Sequence, residues 1–303
     1  MRWSDAHHSA MIAAADTQEE LELNTFERIN VFDALAASGL KLIFRKLDGC
    51  AALYLPASPL GGRAGVILHV GHPLALQRYS AGHELGHHVL GHGVQADRNT
   101  EPQRNRGEPS DEEKLAEAFA AWFLMPPEAV EQALHRLGLT RPGHPRDAYA
   151  LALRLGTSYR ATCVHLASLK LVSAATATSW SELELKNIKQ ELTDQPPPGG
   201  WHGDIWLLTE ADMEAALVAR CGDRLLLDTP GLDVESLQAG VCATTLLPAD
   251  LLSKPRFALD LSPDMDAGPA RIVLAGGGRR AELELTIERP RQGLYVPPCG
   301  VPM

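Results

Sequence analysis

A run of prolines and glycines at 193–200, Thr-Asp-Gln-Pro-Pro-Pro-Gly-Gly, sets the strongest limit on how this chain can fold. Three prolines and two glycines so close together cannot lie inside a helix or a strand. Before this stretch the apolar residues mostly follow helical spacing, whereas after it they form short alternating runs bounded by Gly, Pro and Asp. We therefore predict an α+β protein in which a linker separates a largely helical part from a part rich in strands. The strands of this second part are predicted to be mainly antiparallel, with one helix near 210–220.

The residues before the linker predict an alternation of helices and strands. Helical spacing over 17–38 ends at a glycine, and the next helix covers 78–92. Three short apolar runs between them predict strands at 41–47, 50–56 and 65–70. An Asp-Gly pair predicts a hairpin turn between the first two strands, and the third is predicted as an edge strand along which an extended peptide could lie.

Further helices are predicted between the helix at 78–92 and the linker. The polar stretch 93–110 has no periodicity and is predicted to be a surface loop. Ser110 then opens a helix in a pattern typical of a capping box, and this helix stops at a Met-Pro-Pro sequence. Helical spacing continues over 127–137 and 147–171.

The helix at 78–92 contains the pattern His-Glu-Leu-Gly-His, with the histidines at 83 and 87. Residues four apart on a helix lie one turn apart on the same face, so His83 and His87 can bind one metal ion. Glu84, about 100° further round the helix, can take a proton from the attacking water. Two histidines, one carboxylate and water form a catalytic zinc set, and zinc lowers the pKa of such a water to roughly 7.

The carboxylate ligand must come from elsewhere in the chain. In zinc proteases with a third histidine, that residue would fall at Gly93, and His92 is one position out of register. Spacing alone leaves three glutamates on the next helix as candidates: Glu112, Glu113 and Glu117. Glu113 and Glu117 lie four apart on one face, so Glu113 could bind the metal while Glu117 steadies a ligand histidine.

Other polar residues near the motif are candidates for weaker roles. His88 and His92 lie on a neighbouring stripe of the helix and are expected to face solvent. A protease also needs a donor for the oxyanion of its tetrahedral intermediate. Tyr159 and Arg160, together with His165, could supply that donor, and the sequence does not choose among them.

Residues 149–171 carry apolar positions at helical spacing on both sides of a Gly-Thr-Ser turn. Two helices around such a turn form a helix-turn-helix pattern. The second helix offers few contacts to DNA, and the net charge of the chain is −10. We therefore expect a packing module beside the catalytic cleft, and we expect no specific DNA binding.

The two metal motifs resemble those of the ImmA/IrrE family of metallopeptidases. The chain has His-Glu-Leu-Gly-His-His at 83–88 and Glu-Lys-Leu-Ala-Glu-Ala-Phe-Ala-Ala-Trp-Phe-Leu-Met-Pro at 113–126. The second motif of the family runs Glu-x-x-Ala-Asn-x-Phe-Ala-x-x-Leu-Leu-Met-Pro. Glu117 replaces its asparagine and Phe123 replaces a leucine. The resemblance covers roughly 20–172 and implies that Glu113 is the metal-binding glutamate.

The resemblance also implies a domain organisation and a function. It implies a zincin-like metallopeptidase domain at 1–126, a helix-turn-helix-like helical domain with linker at 127–195, and a GAF-like domain at 196–303. This order is similar to that of a radiation-response regulator in the family. It implies site-specific cleavage of a helix-turn-helix transcriptional repressor, which induces a DNA-damage response. The last domain would sense a small ligand.

Composition points to a cytoplasmic protein. The five cysteines are scattered, without metal-type pairs, and are expected to be reduced thiols. No apolar run approaches the length of a membrane span, and no signal segment opens the chain. The glycine-rich sequence at 276–280 lacks the context of a phosphate-binding loop and is predicted to form a tight hairpin.

Two functions from different classes follow from these patterns. The first is a regulatory metalloendopeptidase that uses zinc, with manganese as the alternative metal. The second is a DNA-binding transcription regulator with a structural metal site. The two differ at Glu84, because a structural zinc has four protein ligands and needs no carboxylate beside an open position.

Overall fold

In a computed structural model of the chain, the described residues are 1–57, 62–93, 95–97, 108–237, 240–244, 257–288 and 291–297. They form two compact units. The first unit comprises Met1–Val130, Leu155–Ala161 and the described part of Pro290–Met303. The second comprises Glu131–Arg154 and the described part of Thr162–Arg289. The three domain boundaries drawn from the sequence stay predictions.

The α-helices of the described residues follow in chain order. They are α1 (Trp3–Glu20), α2 (Val31–Ala37), α3 (Leu74–Val89), α4 (Asp111–Leu124), α5 (Pro127–Arg136), α6 (Pro145–Leu155), α7 (Tyr159–Ser168), α8 (Ala174–Ser181) and α9 (Leu185–Leu192). Two short 3₁₀ helices cover Gly200–His202 and Glu210–Glu214. In the part of the chain that the structure describes, no helix is long and apolar enough to cross a lipid bilayer.

Thirteen strands are described. They are β1 (Lys41–Arg45), β2 (Ala52–Leu55), β3 (Gly65–His69), β4 (Gln95–Asp97), β5 (Ile205–Thr209), β6 (Leu217–Arg220), β7 (Arg224–Asp228), β8 (Asp233–Leu237), β9 (Val241–Thr244), β10 (Phe257–Leu261), β11 (Gly268–Gly276), β12 (Arg279–Glu288) and β13 (Gly293–Leu294). With the helices they confirm the mixed α+β class.

The first unit has a five-stranded sheet with the order β13-β1-β3-β2-β4. Strand β3 pairs in parallel with β1 and antiparallel with β2, so it lies in the interior of the sheet. The prediction that 65–70 is an edge strand is therefore wrong. The predicted hairpin between the first two strands is also wrong. Gly49 does adopt a turn conformation with φ +75°, but β1 and β2 both pair with β3 and not with each other.

The edges of this sheet come from distant parts of the chain. Strand β4 pairs with β2, so the prediction of a loop throughout 93–110 is wrong at Gln95–Asp97, while 94 and 98–107 lie outside the described residues. At the other edge, β13 pairs antiparallel with β1. Beside it, the hydroxyl of Tyr295 donates to the carboxylate of Asp33 at 2.5 Å, and its ring packs near Phe32 and Phe44.

The predicted helix over 17–38 is two helices, α1 and α2, so that prediction is wrong between 21 and 30. The chain leaves α1 through Glu22, which has φ +50°. The side chain of Asn24 then accepts a hydrogen bond from the N–H of Phe26, and the side chain of Asn30 caps α2. Because asparagine side chains compete for backbone N–H groups, two of them within seven residues break the helical periodicity.

Helices α3 and α4 pack closely because glycines on α3 face small residues on α4. An added Cβ at Gly86 would lie 3.1 Å from Phe119 and 3.2 Å from the Cα of Ala116. One turn earlier, a Cβ at Gly82 would lie 3.4 Å from Ala120. A side chain at Gly86 would be crowded against α4, because Cβ contacts that short are rare, and its neighbours would have to give by a few tenths of an ångström.

The second unit contains two four-stranded sheets, with the orders β5-β7-β10-β9 and β6-β12-β11-β8. Both are mainly antiparallel, as the sequence predicts, with parallel pairs at β5–β7 and β6–β12. Their apolar side chains form one cluster, which includes Trp206, Leu227 and Ile272. These arrangements leave the GAF-like assignment a prediction.

Two local expectations in this unit have different outcomes. The sequence predicts a helix near 210–220, and this is wrong, because a 3₁₀ helix is followed there by strand β6. The alternating burial of Leu217–Arg220 is that of a strand. The tight hairpin at 276–280 is confirmed. Gly276 pairs with Arg279, and the two glycines between them have φ of +57° and +77°.

The proline-glycine stretch at 193–200 lies inside the second unit. Its Gly199 N–H donates to the carbonyl of Gly222 at 2.9 Å. Side chains from before the stretch also bond beyond it. The hydroxyl of Tyr149 donates to the Asp204 carboxylate at 3.1 Å, and Lys189 donates to the Gly203 carbonyl at 2.8 Å. Residues before and after the stretch therefore share one hydrogen-bonded interior.

A buried ion pair makes the strongest such link. Arg154 on α6 donates two hydrogen bonds to Asp212, at 2.7 and 3.1 Å, and a third to the carbonyl of Leu207 at 2.7 Å. The side chains of Arg154 and Asp212 are 3% and 0% exposed. Removing one member of such a pair leaves a buried charge without compensation.

We predict that Asp212→Ala lowers the free energy of unfolding by about 3–5 kcal/mol, because it leaves the buried Arg154 guanidinium without its counter-charge. The matched control is Glu210→Ala in the same 3₁₀ helix. Glu210 pairs with Arg279 at the surface, where the two side chains are 44% and 53% exposed. That change should cost less than about 1 kcal/mol. Urea unfolding followed by circular dichroism measures both, and equal losses would contradict the prediction.

Candidate metal centre

Helix α3 places the three residues of the His-Glu motif in the interior of the first unit. His83, Glu84 and His87 are all buried, and Glu84 is 0% exposed. The two histidines lie one turn apart, and their rings meet edge to face with centroids 4.7 Å apart. The helical face predicted from the sequence is therefore present, and it points inward.

The start of α4 brings Glu113 to the histidines. Ser110 caps this helix, its hydroxyl accepting the N–H of Glu113 at 3.2 Å, as the sequence predicts. The cap fixes Glu113 in the first turn, where the helix dipole favours a negative charge. Because α3 and α4 pack through Gly82 and Gly86, the Glu113 side chain reaches both imidazole rings.

The ligand atoms of His83, His87 and Glu113 converge on one point. The two Nε2 atoms are 3.0 Å apart, and the Glu113 carboxylate oxygens lie 3.4 Å from Nε2 of His83 and 3.6 Å from Nε2 of His87. Two ligands about 2.0–2.1 Å from a tetrahedral zinc ion would lie about 3.3–3.4 Å apart. These residues therefore fit a zinc ion within a few tenths of an ångström.

The pKa values of these groups favour the forms that bind metals. Burial, and then the neighbouring His83, lowers the pKa of His87 to about 3, so its imidazole is neutral. Hydrogen bonding with His83 lowers the pKa of Glu113 more than burial raises it, so its carboxylate is ionised. A neutral imidazole and an ionised carboxylate are the ligand forms of these side chains.

The second nitrogen of each ligand ring faces another polar side chain. Nδ1 of His83 lies 3.8 Å from the carboxylate of Glu117, which in turn accepts a hydrogen bond from the Tyr79 hydroxyl at 3.0 Å. Nδ1 of His87 lies 2.8 Å from Nδ1 of His92. The steadying role of Glu117 stays a prediction, and the 3.8 Å between its carboxylate and Nδ1 of His83 exceeds the length of a hydrogen bond.

The expectation that His88 and His92 face solvent is wrong. Both are half-buried, and Nδ1 of His88 lies 3.0 Å from the hydroxyl of Tyr54. Burial, and then the charge of Glu84, raises the pKa of Tyr54. Sequence reasoning missed Tyr54 because it lies on strand β2, and only tertiary packing brings it towards the motif.

The candidate oxyanion donors occupy the start of α7. Tyr159 is buried and Arg160 is exposed. His165 lies further along the helix and is buried. Their catalytic roles stay predictions.

Among the described residues, His83, His87 and Glu113 are the one group of three or more His, Cys, Asp or Glu side chains that could hold a metal. The described cysteines are free thiols, as expected, and Cys299 lies outside the described residues. The metal identity is not fixed by this donor set, which is compatible with zinc.

We predict that Glu113→Ala lowers the metal content of the purified protein well below one ion per chain, because it removes one of three converging ligands. Glu112→Ala is the matched control, since Glu112 is a neighbouring acidic residue in the same helical turn but not a member of the group. Its metal content should equal that of the wild type. Elemental analysis of both variants checks this, and loss of metal in Glu112→Ala alone would contradict it.

Comparison with known proteins agrees with the geometry. Residues 36–166 match the family model Peptidase_M78, described as the IrrE N-terminal-like domain. A search of curated proteins finds no match to the chain. The matched segment contains the metal group and Glu84, and it extends into α7. This segment is therefore similar to the IrrE N-terminal-like peptidase domain, which supports the ImmA/IrrE family and a metallopeptidase-type protein.

Proposed function

We propose that this chain is a regulatory, zinc-dependent, site-specific endopeptidase. The observation that carries the proposal is the convergence of His83, His87 and Glu113 beside the buried carboxylate of Glu84. Among the described residues three protein ligands converge, which would leave one tetrahedral position for water or substrate, whereas a structural zinc site fills all four with protein. The match of 36–166 to a peptidase family model supports the same conclusion.

Each residue has a separate task in this proposal. His83, His87 and Glu113 hold the metal, which when bound would polarise the scissile carbonyl and acidify water. Glu84 accepts a proton from the water that attacks the carbonyl carbon. It then gives this proton to the leaving amine as the peptide bond breaks. Tyr159 or Arg160 donates a hydrogen bond to the oxyanion.

We further propose that the substrate is a helix-turn-helix transcriptional repressor. The order of the parts supports a function like that of IrrE, also called PprI, a regulator of radiation and desiccation tolerance. Cleavage of a DdrO-like repressor would then induce a DNA-damage response. In this proposal the protein acts in the cytoplasm, with zinc or manganese as its metal, and its GAF-like C-terminal part senses a small ligand.

The alternative function is a DNA-binding transcription regulator with a structural metal site. Helices α6 and α7, on either side of Gly156 with φ +67°, favour it. The burial of α7 argues against it. Thr162 and His165, which would read bases, are 1% and 2% exposed. Base readout needs side chains that project into a groove, so α7 offers Arg160 and little else.

We predict that Glu84→Gln retains the metal and the fold but lowers repressor cleavage by ~10²–10⁴-fold, the usual contribution of a general base. Glutamine has the shape of glutamate but cannot take the proton. The test incubates each protein with a purified helix-turn-helix repressor and follows the cut fragments by mass spectrometry. Activity within tenfold of the wild type would remove Glu84 from the mechanism.

We predict that the purified protein binds damage-response promoter DNA no more tightly than random duplex at physiological salt. A specific DNA-binding protein would reach a Kd of roughly 10⁻⁸ M or tighter. Fluorescence anisotropy with both duplexes measures this, beside the cleavage assay. Tight, sequence-specific binding that Arg160→Ala abolishes, with no cleavage of the repressor, would favour the alternative function.

A further inference from the structure

Helix α3 ends in a turn that folds the chain back on the metal ligand. Gly91 has φ +70°, the left-handed conformation that favours glycine. The N–H of His92 donates to the carbonyl of His87 at 2.9 Å, and the N–H of Gly91 donates to that of His88 at 3.2 Å. These two bonds define a Schellman motif, which ends many helices at a glycine.

A Schellman motif brings two side chains together. The residue after the glycine usually makes an apolar contact with the residue five positions before it. Here those two residues are His92 and the metal ligand His87, and the contact is polar. Their Nδ1 atoms are 2.8 Å apart, and the ring centroids are 5.0 Å apart. The turn that stops the helix therefore also gives the ligand ring its partner.

The positions of the protons follow from the metal group. Nε2 of His87 faces Nε2 of His83 at 3.0 Å and the Glu113 carboxylate at 3.6 Å, so it must present its lone pair to bind a metal. A neutral imidazole then carries its proton on Nδ1. That N–H can donate to Nδ1 of His92, which as acceptor carries its own proton on Nε2.

His92 lies on the wrong side of the His87 ring to be a metal ligand itself. Its Nδ1 faces Nδ1 of His87, whereas the metal group forms around Nε2. This arrangement also explains why His92 is one residue out of register for a third-histidine ligand. After the glycine turn, its side chain contacts Nδ1 of His87 and not the Nε2 that faces the metal group.

We propose that His92 is a positioning residue for the metal ligand His87, and that the left-handed turn at Gly91 brings His92 to it. This inference rests on the proposed metal site. A partner at the outer nitrogen fixes the tautomer and the orientation of a ligand histidine, and it raises the basicity of the ligating nitrogen. Loss of such a partner typically lowers metal affinity by roughly 10-fold to 100-fold.

The first experiment measures the zinc Kd of the full chain by competition with a chromophoric chelator. His92→Leu keeps side-chain bulk without an acceptor and should weaken zinc binding by roughly 10-fold or more. His92→Asn places an amide oxygen where Nδ1 stood, and it should restore most of the affinity. His88→Leu is the matched control. It removes the adjacent half-buried histidine, which bonds to Tyr54, and should leave the zinc Kd within about threefold of the wild type.

The second experiment moves His92 without replacing it. No atom lies within 4 Å of a Cβ added at Gly91, so a substitution there acts through the backbone alone. Asparagine tolerates φ +70°, whereas a β-branched residue strains it. Gly91→Asn should therefore bind zinc like the wild type, and Gly91→Val should resemble His92→Leu. Thermal unfolding of the metal-free proteins shows which variants are folded, and only folded variants enter the comparison.

The results separate this proposal from the proposed function. Equal zinc Kd values for the wild type, His92→Leu and Gly91→Val would overturn the role of His92 while the metal site stands. Loss of affinity in His92→Asn as large as in His92→Leu would overturn it too. A wild type that binds zinc with the predicted pattern but cleaves no protein would support His92 and contradict the peptidase. A wild type that binds no zinc would overturn both.

Discussion

The close approach of α3 to α4 is the constraint on which the metal centre depends. Two imidazoles on one helix can be set by local spacing, but the carboxylate must come from a second helix at a fixed distance. Gly86 leaves no side chain where α4 comes closest, with Ala116 and Phe119 opposite it, and Gly82 faces Ala120 one turn earlier. Gly86, the glycine inside the His-Glu-Leu-Gly-His motif, therefore has a structural role. An alanine in place of Gly86 would crowd Phe119 and Ala116 on the helix that carries Glu113, although it touches no ligand.

Signals that act over a few residues could be read from the sequence. The histidine spacing, the Ser110 cap, the Met-Pro-Pro stop and the glycine hairpin at 276–280 all depend on neighbouring residues, and the structure contains them. Strand pairing depends on distant partners, so β3 could not be recognised as an interior strand. The prediction of one helix over 17–38 was wrong because the side chains of two asparagines form other hydrogen bonds with the backbone. The contact between His92 and His87 was missed because it depends on the left-handed turn at Gly91.

In the second unit, hydrogen bonds cross the stretch that its composition marks as a linker. No α-helix or strand covers 193–200, and that part of the inference holds, although a 3₁₀ helix begins at Gly200. It does not follow that few contacts cross the stretch. Arg154, Tyr149 and Lys189 each bond to residues beyond it, and Arg154 does so as a buried ion pair. A buried charge needs its partner, so these side chains make the helical and strand-rich parts depend on each other.

The strand at 293–294 has a consequence for the order in which the protein is made. It completes one edge of the first sheet, and Tyr295 bonds to Asp33, 262 positions earlier in the chain. Nascent chains generally fold from the N-terminus as synthesis proceeds. Here the sheet that packs against α3 lacks β13, its partner at the edge of β1, until the whole second unit has been translated. An open edge invites pairing with other chains. The edge of β1 therefore stays unpaired through most of synthesis, and it is still unpaired after the metal ligands have left the ribosome.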